Sequence, residues 1–197
     1  QGTDAALAMA MGHVILKEFH VDKPSAYFQE YGRRYTDMPM LVKLVKRDGR
    51  YVPDRFVRAS DFADKLAQAN NPEWKTVAID ENTGHFIAPN GSIGFRWGEE
   101  GKWNIVPTDS KTGKPARLQK TLLGSHDEVL PVAFPYFANA EHEHGYFPHD
   151  KRESVLVRSL PVKTVKLKEG KVAVATVFDL LCANYGIDRG LGGGNVA

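Results

Sequence analysis

The first residues of the chain combine groups that suit the binding of a nucleobase. Gly2, Thr3 and Asp4 stand directly before an apolar segment that is predicted to be helical. Amides at a helix N-terminus attract anions, but an aspartate at that place would repel a phosphate. A fixed carboxylate is better suited to accept two parallel N–H donors, such as those on the edge of a guanine. The same residues also fit an ordinary helix cap, and both interpretations stay open.

Two further polar segments are candidates for ligand contacts. Thr36 and Asp37 lie in a turn between a predicted helix and an apolar strand, where α/β proteins place many ligand loops. A plain connection whose side chains satisfy backbone groups is the alternative. The segment 141–144 reads Glu-His-Glu-His, and imidazole with carboxylate is a competent ligand set for zinc. An irregular loop does not by itself hold such rings convergent, so a solvated loop is the alternative there.

The remaining reactive side chains fit structural roles. Cys182 falls in an apolar helical segment, which predicts a buried and inert thiol. His13 and His20 lie on the first helix or at its end, where we expect hydrogen-bonded structural histidines. Residues 125–127 read Ser-His-Asp, but catalytic triads are not built from adjacent residues. The residue types alone therefore predict no complete active site.

Composition limits the classes of protein to which the chain could belong. Its 197 residues, 42% of them hydrophobic, are enough to bury a core. A net charge of +2 gives no electrostatic case for nucleic acid as a partner. The single cysteine excludes an internal disulfide framework and an iron–sulfur cluster held by this chain alone. No stretch of sequence approaches the roughly 20 apolar residues that span a bilayer.

The hydrophobic pattern predicts one mixed α+β module over residues 1–197, with short strands, hairpins and about four helices. The predicted helices cover residues 5–20, 24–35, 60–69 and 176–185. The predicted strands cover residues 40–45, 51–57, 74–79, 85–88, 92–97, 103–106, 162–167 and 172–177. Strands 40–45 and 51–57 are predicted to form one hairpin, and strands 162–167 and 172–177 a second. Thr176 and Asp179 fit a capping box for the last helix, and Gly186 fits its C-terminal end.

The first predicted helix is apolar around nearly its whole circumference. Such a helix is expected to pack on most sides, and in isolation to expose an apolar patch or cover it by self-association. The chain also begins at Gln1 rather than at a methionine. We therefore expect it to be an internal fragment of a larger polypeptide.

Several sequence blocks resemble a known family. The segment 1–4, followed by an Ala/Met-rich helix ending in His-Val-Ile, resembles a stretch of the molybdopterin oxidoreductases of the dimethyl sulfoxide reductase family. In that family the stretch follows the molybdenum-ligand region. The segment 35–39, Tyr-Thr-Asp-Met-Pro, is similar to a second hallmark of the family. Longer blocks resemble the catalytic alpha subunits of membrane-bound respiratory nitrate reductases, at 71–78, 88–98, 134–137, 160–163 and 183–186.

The resemblance implies a partial domain of a molybdopterin oxidoreductase that reduces nitrate to nitrite by two electrons. Its molybdenum would be held by bis-molybdopterin guanine dinucleotide. Gly2, Thr3 and Asp4 match the guanosine-binding turn, with Asp4 the acceptor for guanine, and the turn at 36–37 would lie near the cofactor cavity. The iron–sulfur ligands and the molybdenum-bound aspartate of the family precede Gln1. No catalytic residue or metal ligand is therefore carried over, and the isolated fragment is expected to be inactive.

The same resemblance implies an iron–sulfur beta subunit and a membrane cytochrome b gamma subunit as partners, and nitrate as the substrate. It places such a complex at the cytoplasmic face of the bacterial inner membrane. Two alternatives remain. A relative within the family would act on selenate, chlorate or perchlorate, and a non-catalytic metal-binding or interaction module would use the histidine-rich loop.

Overall fold

A computed structural model describes residues 3–47, 49–90, 106–134 and 156–192. Within these ranges two α-helices come first, seven strands follow and a third α-helix comes last, which confirms the mixed α+β class. The helices are α1 (Asp4–Ile15), α2 (Ala26–Tyr35) and α3 (Val177–Asn184). The strands are β1 (Leu41–Arg47), β2 (Arg50–Phe56), β3 (Ala78–Ile79), β4 (Phe86–Ile87), β5 (Glu128–Phe134), β6 (Leu156–Leu167) and β7 (Gly170–Thr176).

Five strands form a sheet that closes on itself in the order β1-β2-β5-β6-β7, with β7 pairing back onto β1. All neighbours are antiparallel except β2 and β5, which run parallel where Tyr51 faces Val132. Both predicted hairpins, β1–β2 and β6–β7, are present. Gly170 turns the second hairpin with φ of 121°, in the left-handed region that favours glycine.

The first helix does not run uniformly to residue 20 as predicted. It changes at Leu16 into a π-helical turn that ends at Asp22. Within this turn the backbone N–H of Lys23 donates to the carbonyl of Glu18, and Lys17 forms an ion pair with Asp22. Both contacts join residues five apart in sequence, which is the spacing of a π-helix.

The predicted helix over 60–69 is wrong. Two short 3₁₀ turns, Ala59–Asp61 and Lys65–Ala67, stand in its place. The three residues of the second turn have φ of 52°, 48° and 57°, which a right-handed helix cannot contain. The Asp64 carboxylate accepts a hydrogen bond from the Leu66 N–H at 3.0 Å and so stabilises the turn instead. The four predicted helices therefore become three.

Two predicted strands are shorter than expected, and two cannot be compared. Within the predicted segments 74–79 and 85–88, the paired strands β3 and β4 have two residues each. The predicted strand 92–97 lies outside the described residues, as does 103–106 except for its last residue.

Apolar clusters connect the helices to the sheet. One cluster joins Leu44, Val132 and Leu160 of the sheet to Ala183 of α3. Another joins the end of the first helix to α3 and to the segment after α3, through Leu16, Phe178, Cys182 and Ile187. The Cys182 thiol is fully buried, as predicted, and burial raises its pKa to about 11. None of the helices in the described ranges is both long and apolar enough to cross a membrane.

Candidate functional site

The N-terminal turn presents its polar groups at the surface. Thr3 occupies the N-cap of α1, and Asp4 lies in the first helical turn. Both side chains are exposed. The Thr3 carbonyl accepts from the Leu7 N–H, but the Thr3 side chain accepts no capping hydrogen bond among the described residues, contrary to the simple helix-cap interpretation. Gly2 lies outside the described residues. The exposed Asp4 carboxylate at this turn is open to an external N–H donor.

Helix α1 exposes most of its apolar side chains. Leu7, Met11 and Val14 are 63%, 58% and 48% exposed, and the first buried residue is Leu16, directly after the end of α1. This surface agrees with the predicted apolar patch, and the predicted self-association stays a prediction. Asp4 lies nine residues before His13, so about 14 Å of helix separates the N-terminal turn from that residue.

Helix α1 is held to the rest of the chain at its C-terminal half. The Nδ1–H of His13 donates to the backbone carbonyl of Tyr185 at 2.7 Å, which matches the expected structural histidine. One residue earlier, Gly12 lies against the Tyr185 ring, where a Cβ on Gly12 would overlap it. The absence of a side chain at Gly12 therefore allows the approach that sets the direction of α1.

Gly12→Ala is expected to lower the free energy of unfolding by about 1–3 kcal/mol, because the added methyl group forces the Tyr185 ring aside. At an unobstructed helix position the same change would be favourable by about 1 kcal/mol. Urea denaturation followed by circular dichroism measures the difference. In a Tyr185→Ala background the penalty should disappear. A stabilising effect of Gly12→Ala in the unaltered background would contradict the packing described.

The turn at 36–37 follows α2 in the chain and is linked by hydrogen bonds to the start of α3. The Thr36 hydroxyl donates to the Gly32 carbonyl at 2.6 Å and accepts from the Met38 N–H at 3.2 Å. The Met38 carbonyl in turn accepts from the Phe178 N–H at 3.0 Å. Thr36 thus has the connecting role that was the alternative to ligand binding, while the Asp37 side chain is exposed. A position near a cofactor stays a prediction for this turn.

A buried carboxylate that the sequence marked only as a helix cap organises the region behind α1. Asp179, which is 0% exposed, receives hydrogen bonds from four donors. Oδ1 accepts from the Thr121 hydroxyl at 2.5 Å and from Nη1 of Arg189 at 2.7 Å. Oδ2 accepts from the Leu122 N–H and from the Thr176 hydroxyl, each at 2.8 Å. This network connects the start of α3 to the 121–122 segment and to the chain after α3.

Next to this network lies a buried lysine. Lys120 is 2% exposed, its Nζ donates to Nδ1 of His20 at 3.1 Å, and the same Nζ lies 4.3 Å from the centre of the Phe178 ring. Burial, with a smaller contribution from Arg33, lowers the pKa of Lys120 to about 8. Burial and the nearby Lys120 lower the pKa of His20 to about 4. His20 is therefore neutral near pH 7 and acts as an acceptor for the ammonium group.

Gly32 makes room for this lysine. A Cβ on Gly32 would lie 3.3 Å from Cδ of Lys120 and 3.2 Å from Sδ of Met38. The Lys120 ammonium thus rests against an imidazole and an aromatic ring, and in the described ranges it forms no ion pair with a carboxylate. The burial of Lys120 was not predicted, because a lysine in a polar connecting segment gives no sign that it will be buried.

Other candidates are either structural or cannot be compared. The Ser125 hydroxyl accepts from the Gln119 side chain at 2.5 Å, and Asp127 accepts from the Thr164 N–H at 2.8 Å, so both side chains support loops. The histidine-rich segment 141–144 lies outside the described residues. Among the residues that the structure covers, no three His, Cys, Asp or Glu side chains are grouped to hold a metal ion.

Comparison with known proteins assigns the chain to a class of oxidoreductase subunits. It is 58% identical over 198 residues to the respiratory nitrate reductase 1 alpha chain of Escherichia coli (strain K12), covering 100% of this chain and 16% of that one. It is 43% identical over 192 residues to the nitrate reductase alpha chain of Bacillus subtilis (strain 168), and this alignment covers 98% of this chain and 14% of that one. It shares 40% identity over 190 residues with the nitrate reductase alpha subunit of Mycobacterium tuberculosis (strain ATCC 25618 / H37Rv), and this alignment covers 95% of this chain and 14% of that one. No protein-family profile matches the chain.

The chain belongs to the family of respiratory nitrate reductase alpha chains, and the predicted resemblance is confirmed. It spans about 16% of the length of the Escherichia coli relative, so it corresponds to one segment of such a subunit.

Proposed function

We propose that the chain contributes guanosine contacts and scaffold to the molybdenum cofactor site of a respiratory nitrate reductase alpha subunit. The observation that carries this proposal is the 58% identity to a respiratory nitrate reductase alpha chain over the whole length of this chain. The cofactor would be bis-molybdopterin guanine dinucleotide, and its molybdenum would supply the two-electron reduction of nitrate to nitrite. The iron–sulfur cluster, the metal ligands and the residues at the reacting centre would belong to other parts of the subunit.

The N-terminal turn fits the guanine end of that cofactor. Asp4 is exposed in the first turn of α1 and forms no ion pair with the described residues. Its two oxygens match the N1–H and amino donors of guanine, while Gly2 and Thr3 would line the same turn.

Two further features of the proposal concern the assembled enzyme. The partners would be an iron–sulfur beta subunit and a membrane cytochrome b gamma subunit, with the complex at the cytoplasmic face of the bacterial inner membrane. The alpha-chain names of the relatives support a multi-subunit complex. The apolar side chains exposed along α1 would then be covered by other parts of the alpha subunit.

Asp4→Asn in the full-length alpha subunit is expected to weaken retention of the guanine nucleotide about tenfold or more. The amide places an N–H₂ donor where a carboxylate oxygen accepted, and a lost charged hydrogen bond costs about 1.5–3 kcal/mol. Molybdenum content by mass spectrometry and guanine nucleotide released on acid hydrolysis measure retention.

Asp22→Asn is the matched control, because Asp22 is an exposed aspartate near the other end of the same helical segment. It should retain full cofactor. If Asp4→Asn also retained full molybdenum and guanine nucleotide, Asp4 would not be a guanosine contact.

A further inference from the structure

Two adjacent hairpins concentrate the positive charge of the chain. Hairpins β1–β2 and β6–β7 lie side by side because β1 pairs with β7. Residues 43–55 and 163–171 contain nine of the 26 Lys and Arg residues but only three of the 24 Asp and Glu residues. The rest of the chain therefore carries 17 basic and 21 acidic residues. The two hairpins therefore carry a clear excess of positive charge in a chain whose net charge is only +2.

Like charges face one another directly across the strands of this surface. Lys166 pairs with Lys171 in the second hairpin, and Arg47 pairs with Arg50 in the first. Directly opposed like charges destabilise a sheet. Lys166 and Lys171 are exposed, and in the described ranges no ion pair offsets their repulsion. Folding alone would favour an acidic residue at one of these two positions.

The two hairpins enclose a cleft of about 330 Å³. Lys46 lies over the Tyr51 ring at 5.1 Å from its centre, and both residues line the cleft together with Lys171. At the bottom, the ammonium group of Lys43, with a side chain only 3% exposed, is bound by Glu169 at 2.5 Å and Asp61 at 3.4 Å. Lys43 is therefore already paired with carboxylates of this chain. Lys46 and Lys171, which also line the cleft, are free of such pairs in the described ranges and can bind carboxylates of another molecule.

We propose that this cleft and the lysines around it dock a carboxylate-rich segment of a partner polypeptide. Charge complementarity supports an acidic partner, because Lys46 and Lys171 line the cleft and the exposed Lys166 lies opposite Lys171 on the neighbouring strand. The lining favours a polypeptide over nucleic acid or a lipid surface. Leu44, Val45 and Val172 also line the cleft, and these apolar residues suit the methylene groups of glutamate side chains.

Binding is tested with a fluorescein-labelled oligoglutamate peptide, followed by fluorescence anisotropy at low and at physiological salt. Lys166→Glu/Lys171→Glu is expected to weaken binding about tenfold or more, as two lost charge contacts predict. Lys111→Glu/Lys114→Glu is the matched control, because these lysines are exposed in a separate loop and the net charge changes by the same amount. At physiological salt the control should weaken binding about twofold or less, since charges farther from the bound peptide than a Debye length of about 8 Å are largely screened.

A second measurement separates binding from folding. Lys166→Glu alone places a carboxylate opposite Lys171, so it should raise the midpoint of thermal unfolding while it weakens peptide binding. A lowered midpoint would contradict the argument that these lysines are retained at a cost to stability. Equal weakening by the two double variants, or no peptide binding at low salt, would overturn the proposal. Tighter binding of a duplex oligonucleotide or of phosphatidylserine vesicles than of the peptide would also overturn it.

Discussion

Asp179→Asn is expected to lower the free energy of unfolding by about 3–5 kcal/mol, because it breaks a buried ion pair and leaves Arg189 without its carboxylate. The amide of asparagine also replaces one acceptor oxygen by an N–H₂ donor. Because four donors surround the Asp179 side chain, this new donor faces other donors and finds no acceptor there. A buried donor without an acceptor adds a desolvation cost. Urea unfolding monitored by tryptophan fluorescence and circular dichroism measures the change.

The control for this variant is Asp54→Asn, which removes a surface carboxylate paired with Arg47 at 3.1 Å. Exposed pairs contribute roughly 0–1 kcal/mol, so this change should be small. The double variant Asp179→Leu/Arg189→Leu should recover part of the loss, because it buries no unpaired charge. Equal effects of Asp179→Asn and Asp54→Asn would show that the network does not hold α3 in place.

Lys120→Met is expected to act in the opposite direction and to stabilise the chain by about 1–3 kcal/mol at pH 7. Methionine keeps the length of the apolar stem and removes a buried charge whose neighbours are a neutral His20 and the Phe178 ring. The exposed Lys114→Met is the control and should change stability by less than about 0.5 kcal/mol. A loss of stability in Lys120→Met would show that the ammonium contacts outweigh its desolvation.

The stabilisation by Lys120→Met should depend on pH in a defined window. The pKa of Lys120 is lowered from 10.5 to about 8 in the folded chain, so the unfolded chain binds the extra proton between these values. Stability of the parent chain therefore rises as the pH goes from about 8 to 10.5. The advantage of the variant is full below pH 8 and shrinks across the window. Cys182 titrates in an overlapping range and its pKa is coupled to the charge of Lys120, so the comparison is made with both chains in a Cys182→Ala background.

Local sequence signals predicted the hairpins and the last helix. A glycine at position 170 set the β6–β7 turn, and Thr176 accepts from the Asp179 N–H at 3.1 Å, as the capping box predicted. Strand β5 was not predicted, because Pro131 interrupts an apolar run and prolines are rare inside sheets. Closure of the sheet was not predicted either. It depends on the pairing of β1 with β7 and of β2 with β5, between segments far apart in sequence.

Residues of the candidate site could be predicted only where they lie close together in one short segment of the chain. The turn at 2–4 was marked by residue types that are adjacent in the chain, and its binding role stays a prediction. The roles of Asp179 and Lys120 depend on partners such as Arg189 and His20, which come from distant segments and meet only after folding. The sequence signal that could have suggested the buried role of Asp179 was an acidic residue in an otherwise apolar helix.

The π-helical turn Leu16–Asp22 gives the first helix a place where its length can change in evolution. A wide turn of this kind becomes an α-helical turn when one residue is removed, so a deletion there keeps the backbone hydrogen-bonded. A π-helical turn holds about one residue more than an α-helical turn over the same full rotation, so such a deletion leaves the facing of the chain on either side almost unchanged. We therefore expect the segment after the turn, from Lys23 into α2, to keep its direction in relatives that lack the extra residue.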